Sequence, residues 1–194
     1  MAPQYAAPVV SVSSVKKEVA SYVSSNRTNR QANFTTMRSM FWTLTDQNKA
    51  AYLLSGKHPH FWYFRMSKKC GLSVSTVISK LTKDKPWDLA KQGKFSSFED
   101  LRKHIDSLIR MPYIGDLVIY DVSLVIAYAV NNPLLLPKKY VYIHAKPKRN
   151  AKIVFPVILP GVSIKGNCIN YSILPAYLKK LSADEVEDLL CIYP

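Results

Sequence analysis

The chain has 194 residues, 48% of them apolar and 21% charged. That is enough apolar content to bury a core, which excludes a chain disordered throughout. Lys and Arg number 27 against 13 Asp and Glu, a net charge of +14, which points to an anionic partner, either nucleic acid or an anionic membrane surface.

Residues 1–14 are uncharged and rich in Pro, Ala, Ser and Val, and read as a flexible arm with none of the marks of a secretory signal. Val15, Val19, Tyr22 and Val23 have helical spacing. Residues 24–36 are polar and read as a loop or the start of a second helix. Met37, Met40, Phe41 and Leu44 give a further helix. Thr45 caps the next, with Ala50, Ala51, Leu53 and Leu54 apolar and Gly56 closing it. Ser96-Ser97-Phe98-Glu99 reads as a capping box opening a helix with Leu101, Ile105, Leu108 and Ile109 on its apolar face, stopped by Pro112.

The segment 116–130 is β-branched at many positions, but its length favours a buried helix. It is too short to span a bilayer and carries Asp121 and Ser123. Residues 139–145 alternate as a strand. Residues 153–159 read as a second strand, limited by Pro156, Pro160 and Gly161 to an edge or a loop. Ser182-Ala183-Asp184-Glu185 is a second capping box, opening a short helix with Val186, Leu189 and Leu190 apolar.

The fold expected is mainly α: a helical domain with a helix-hairpin-helix-like unit and a few short C-terminal strands. Its regions are an arm over 1–14, a basic helical region over 15–95 and a hairpin-containing domain over 96–194. Three widely spaced cysteines form no CxxC, so neither a disulfide framework nor a Cys-rich zinc site is expected, and the natural compartment is a reducing cytoplasm.

Charge is uneven. Residues 1–98 hold 15 basic and 4 acidic residues; residues 99–194 hold 12 and 9. Between Asp121 and Asp184 there is no carboxylate but nine basic side chains, a span whose positive field no near neighbour in sequence cancels.

The sharpest motif is Met111-Pro112-Tyr113-Ile114-Gly115 between two helical segments. It resembles the helix-hairpin-helix of DNA repair and replication proteins, in which backbone N–H groups at the start of the second helix hold a phosphate. Tyr113 stands at the first glycine position and Asp116 follows the second. The plain alternative is a helix–helix turn used only for packing. Ser67, Gly71, Leu72, Ser73, Thr76, Val77 and Leu81 similarly resemble the helix-turn-helix of bacterial repressors, with Ser73 as N-cap and Ser75, Thr76, Ser79 and Lys80 displayed; an ordinary surface helix is the competing reading. Residues 57–65 interleave basic and aromatic side chains, a composition suited either to base stacking or to a core with a rim.

Four pieces in order resemble an uncharacterised bacterial family: His58–His60, Ile114–Asp121, Val141–Ala145 and Glu185–Tyr193. The resemblance spans about residues 57–194 and brings no activity with it. Its matching residues make His58, His60, Asp121, His144 and Glu187 the candidate catalytic set. Two His with carboxylates suit a divalent ion, but Pro59 between the first two leaves joint ligation unforced. No metal or other cofactor is assigned. No GxSxG, Walker-type, HExxH or kinase motif occurs.

The function expected is nucleic-acid binding, to DNA or RNA, largely without reading sequence. Tyr113, Ile114 and Gly115 would meet phosphates at the hairpin. Lys138, Lys139, Lys146, Lys148, Arg149 and Lys152 would extend the track, and Lys68, Lys69 and Lys80 would add a second surface. The alternatives are a nucleic-acid-processing enzyme using Asp121 and His144, and a structural or protein-interaction subunit docking through the apolar tail Leu189–Pro194.

Overall fold

A computed structural model describes residues 10–54, 71–112, 114–162, 164 and 166–193. They are mainly α-helical, with one two-stranded sheet near the C-terminus. The chain packs as two units: Met1–Arg27 with Lys138–Pro194 (unit 1), and Thr28–Pro137 (unit 2). The boundary drawn from sequence at residues 95 and 96 falls inside unit 2.

In unit 1, helix α1 spans Val12–Ser21, so residues 12–14 of the expected arm are helical. The cap is reciprocal: Ser14 N–H donates to Ser11 Oγ at 3.1 Å and Ser11 N–H to Ser14 Oγ at 2.9 Å, satisfying donors that a helix start leaves open. Val15 and Val19 face the core, as does Tyr22 in the π-helical turn Tyr22–Asn26 that follows.

Strand β1 (Tyr140–Tyr142) pairs antiparallel with β2 (Cys168–Asn170), Val141 opposite Ile169. The strand expected over 139–145 is therefore shorter at both ends. Helix α8 then runs Ala145–Ile158, which corrects the strand or loop expected over 153–159. Ala151, Val154, Phe155 and Ile158 are all buried in one cluster with Val15, Val19 and Val141. Their 3–4 spacing gives a helix one continuous apolar face. That burial outweighs the β propensity of Ile153, Val154, Val157 and Ile158, and the presence of Pro156 inside the helix.

Helix α9 (Ala183–Ile192) completes unit 1. Its cap is the one expected, with Ser182 N–H donating to Glu185 Oε2 at 2.8 Å. Leu189, Leu190 and Tyr193 are buried, and Asn150 Nδ2 donates to the carbonyls of Leu190 and Tyr193 at 2.7 and 2.8 Å. The described part of the tail expected to dock a partner belongs to this unit's own core, and among its described residues only Ile192, at 52%, is broadly exposed.

In unit 2 the helices are α2 (Arg27–Thr43), α3 (Asp46–Leu54), α4 (Gly71–Asp84), α5 (Pro86–Lys91), α6 (Phe98–Ile109) and α7 (Asp116–Val130). Of the polar segment 24–36, expected as a loop or helix start, residues 24–26 belong to the π-helical turn and residues 27–36 form the first half of α2. Thr45 caps α3 as expected, its Oγ1 accepting from Asn48 N–H at 3.3 Å. The cap of α6 sits one residue later than the sequence suggested: Ser97 Oγ accepts from Asp100 N–H at 3.1 Å, and Asp100 Oδ2 from Ser96 N–H at 3.0 Å.

Helix α7 is buried almost all round, Ile119 to Ala127 without a break, and packs against α3, α5 and α6. Each buried Val, Leu or Ile there contributes roughly 1.5–3 kcal/mol. Trp42 Nε1 and Arg38 Nε of α2 donate to the carbonyls of Ala129 and Tyr128 at 2.8 and 3.2 Å, satisfying acceptors at the helix end. Because α6 packs on both α4 and α7, no boundary opens at residue 95. Among the described residues no helix is long and apolar enough to cross a membrane.

Candidate nucleic-acid interface

Between α6 and α7 the chain turns at Met111–Gly115, with an isolated bridge between Met111 and Ile114. Ile114 is buried, and its N–H donates to Met111 O at 3.0 Å. That donor, expected to meet a phosphate, is spent inside the turn. Gly115 is exposed at φ −92° and ψ 179°, and an added Cβ would meet nothing within 4 Å. Neither conformation nor packing therefore requires glycine there. Tyr113 lies outside the described residues.

The start of α7 already holds an anion of its own. Asp116 Oδ1 accepts from Arg110 Nη2 at 2.6 Å, with Arg102 Nη2 at 3.8 Å, and Arg110 Nε donates to Asp106 Oδ1 at 2.5 Å. Asp106 first and Asp116 second hold the Arg110 guanidinium more firmly protonated than usual. A carboxylate at a helix start is favourable. Here it stands where a phosphate would bind.

In the segment with helix-turn-helix spacing, Gly71 and Ser73 both lie within α4. Ser73 is thus inside the helix, and its expected role as N-cap does not hold. Ser75, Thr76, Ser79 and Lys80 are exposed on α4, while Val77 and Leu81 are buried. Residues 57–65, with His58 and His60, and also Lys68 and Lys69, lie outside the described residues.

The remaining catalytic candidates fall in separate units. Asp121 is buried at 5% exposure in the middle of α7, in unit 2. His144 and Glu187 belong to unit 1. His144 is buried at the N-cap position of α8, its ring stacked on Tyr142 with centroids 6.4 Å apart. Glu187 is buried on α9 and accepts from Cys191 Sγ at 3.6 Å. Among the described residues no group of His, Cys, Asp and Glu is placed to hold a metal ion.

The basic track lies in unit 1. Arg149 and Lys152 sit at i and i+3 on the exposed face of α8, opposite the buried Ala151, Val154 and Phe155. Lys138 and Lys139 are exposed on the approach to β1. Lys148 is half-buried and donates to Asn167 Oδ1 at 2.9 Å. Lys16, Lys17, Lys179 and Lys180 are exposed as well, four cations that the expected track did not include.

Unit 1 also withdraws its carboxylates. Asp184, Glu185 and Glu187 are buried. Glu185 is gripped by Arg27 through two 2.8 Å contacts. Asp188 is half-buried and accepts from Tyr22 Oη at 3.0 Å, and Glu18 is half-buried. Among the described residues of unit 1, every fully exposed charged side chain is positive.

The chain matches no family model, no curated protein and no solved structure. The four segments on which a family resemblance was expected have distinct places. Ile114–Asp121 opens α7, Val141–Ala145 leads from β1 into α8, and Glu185–Tyr193 runs along α9 to the residue after it. His58–His60 is outside the described residues.

Sequence reading also missed a cleft in unit 1, about 520 Å³, bordered by Lys16, Val19, Val23, Tyr177 and Lys180. Lys16 Nζ stands 5.4 Å from the centre of the Tyr177 ring, and burial pushes the Tyr177 hydroxyl above its usual pKa. The only sequence signal was Lys16 one helical turn before the apolar Val19 and Ala20, with Tyr177 beside Lys179 and Lys180.

Proposed function

We propose that the protein binds nucleic acid without reading its sequence, through the cationic surface of unit 1. The observation that supports this most is the sorting of charge. Unit 1 has 12 basic and 5 acidic residues, a net +7; its acids are buried or half-buried, while Lys16, Lys17, Lys138, Lys139, Arg149, Lys152, Lys179 and Lys180 are exposed. A phosphate polymer approaching this surface meets cations with few competing carboxylates, which favours counterion release and steers association. Unit 2 has the same net charge from 15 basic and 8 acidic residues. It interleaves them: Asp46, Asp84, Asp106 and Asp116 pair with Lys85, His104, Arg110 and Arg102. The hairpin is left out of the contact surface, because Ile114 N–H and the start of α7 are already engaged.

The test is fluorescence anisotropy with duplex DNA, single-stranded DNA and structured RNA, each across a salt series. Affinity falls with salt by roughly 0.9 log units per log unit of salt for each phosphate contact on duplex DNA, and about 0.7 on single strands. Replacing Lys138, Lys139, Arg149 and Lys152 together with Ala flattens that slope. An unchanged slope removes this face from the contact surface, and no binding at low salt to any of the three overturns the proposal.

A further inference from the structure

A cleft beside α1 lies among the exposed cations of unit 1. Its wall is Val19, Ala20 and Val23, its edge is the half-buried ring of Tyr177, and Lys16 and Lys180 stand at its rim. A volume near 520 Å³ falls within the range of small-ligand clefts. An apolar wall, one aromatic ring and two ammonium groups match the parts of a nucleotide: a flat base with a π-face, and phosphates on either side.

Two details select the base over other apolar anions. The exposed Lys16 rests over the Tyr177 ring, its Nζ 5.4 Å from the centroid, so a cation on a long side chain stands over that face. A base can take the cation's place on the ring, and the displaced ammonium is then at hand for the adjoining phosphate. The Tyr177 hydroxyl is enclosed and has no hydrogen-bond partner among the described residues, so recognition falls to the ring. Bases within a duplex are stacked on one another and cannot enter; unpaired bases can.

We infer that this cleft takes an unpaired base of a single-stranded nucleic acid, stacked on Tyr177, with Lys16 and Lys180 on its flanking phosphates. The inference rests on the reading of unit 1 as a nucleic-acid surface and adds the class of strand.

The experiment compares an oligothymidylate of about 12 nucleotides, within the span such grooves cover, with a duplex of equal length. The proteins are the full chain and its Tyr177→Phe and Tyr177→Leu variants. The single strand is expected to bind more tightly than the duplex. Tyr177→Phe should bind as the parent does. Tyr177→Leu should lose affinity for the single strand on the order of ten-fold, keep its salt slope, and leave duplex affinity unchanged.

Equal binding of the single strand by all three proteins overturns the inference while leaving the surface reading intact. No binding to either probe removes both. Vesicles of phosphatidylserine and phosphatidylcholine serve as a third probe: vesicle binding that depends on Tyr177, with oligonucleotide binding that does not, assigns the cleft to an acyl chain and overturns the inference. If Tyr177→Leu lowers the urea midpoint, the exposed substitution Lys16→Glu carries the test. It must weaken the single strand more than the duplex, and an equal loss on both counts against the cleft.

Discussion

The guanidinium of Arg27 meets the carboxylate of Glu185 side-on, Nε to Oε1 and Nη2 to Oε2, both at 2.8 Å. The same Nη2 donates to the carbonyl of Lys180 at 2.6 Å, and Glu185 Oε2 also accepts from Ser182 N–H at the start of α9. One carboxylate thus caps a helix and anchors a residue 158 positions away in sequence.

Removing Arg27 leaves Glu185, whose side chain is 9% exposed, without its main partner. Fully exposed pairs are worth about 0–1 kcal/mol and breaking a buried one costs about 3–5. With Arg27 itself 28% exposed, Arg27→Ala is expected to lower stability by about 2 kcal/mol. A double-mutant cycle with Glu185→Gln in urea unfolding should show a coupling of roughly 1.5–3 kcal/mol. A coupling below about 0.5 kcal/mol would make this an ordinary surface pair. Arg27→Ala also frees a carboxylate near Lys180, so nucleic-acid affinity should fall with it.

The hairpin yields a contrasting prediction. Asp116 and Arg110 are both well exposed, at 37% and 45%. Asp116→Asn should therefore cost at most about 1 kcal/mol, from a screened ion pair and a lost charge at a helix start. Its effect on the salt slope of nucleic-acid binding should be nil, since Ile114 N–H remains committed to Met111. A slope steeper by about 0.9 on duplex DNA would place a phosphate at the hairpin and return that turn to the contact surface.

Pro156 lies on the exposed side of α8, four residues after Lys152. Lacking an N–H, it leaves the Lys152 carbonyl without its helical donor, and its ring crowds that carbonyl. Alanine is about 3 kcal/mol more favourable than proline in a helix interior. Near this helix end, and with proline restricting the unfolded chain, Pro156→Ala should still raise stability by about 1 kcal/mol. Far-UV circular dichroism should gain helical signal. A loss of stability would mean that α8 needs the bend that proline imposes.

Helices α6 and α9 were legible because Leu101, Ile105 and Ile109, and Val186, Leu189 and Leu190, repeat at helical spacing behind a capping residue. Helix α8 was not. Ile153, Val154 and Val157 beside two prolines imitate an edge strand, and the decisive spacing of Ala151, Val154, Phe155 and Ile158 becomes visible only when the residues before 153 are included. The acid-free span between Asp121 and Asp184 announced the basic surface. The withdrawal of Glu185 was hidden, because its partner Arg27 is distant in sequence. Asp116 was visible as a carboxylate at the hairpin, but its contact with Arg110 depends on how α6 ends and α7 begins. Burial of Leu189 and Leu190 followed from tertiary packing that no local pattern could distinguish from an apolar docking tail.

Lys85 supplies the clearest pH dependence. Its Nζ lies 2.6 Å from Asp46 Oδ2, with Lys49 Nζ 3.5 Å from Oδ1. The hydrogen bond from Lys85 holds the Asp46 carboxyl below its ordinary value of 3.8, and the same bond raises Lys85 above 10.5. A depressed acid stabilises the fold above its unfolded pKa and loses that contribution as pH falls through the folded one. A raised lysine contributes below its unfolded pKa and loses it as pH rises through the folded one. The pair therefore acts between about pH 4 and pH 10.5 and fades on either side. Asp46→Asn should lower the urea midpoint near neutrality and converge with the parent once pH has fallen through the lowered Asp46 value; a gap that persists in strong acid would assign its effect to the start of α3 and not to the ion pair. Lys85 also has left-handed backbone, φ 52°, a conformation glycine adopts without strain. Lys85→Gly thus trades an ion pair for relief of strain, and the balance must move toward glycine as pH falls and Asp46 loses its charge.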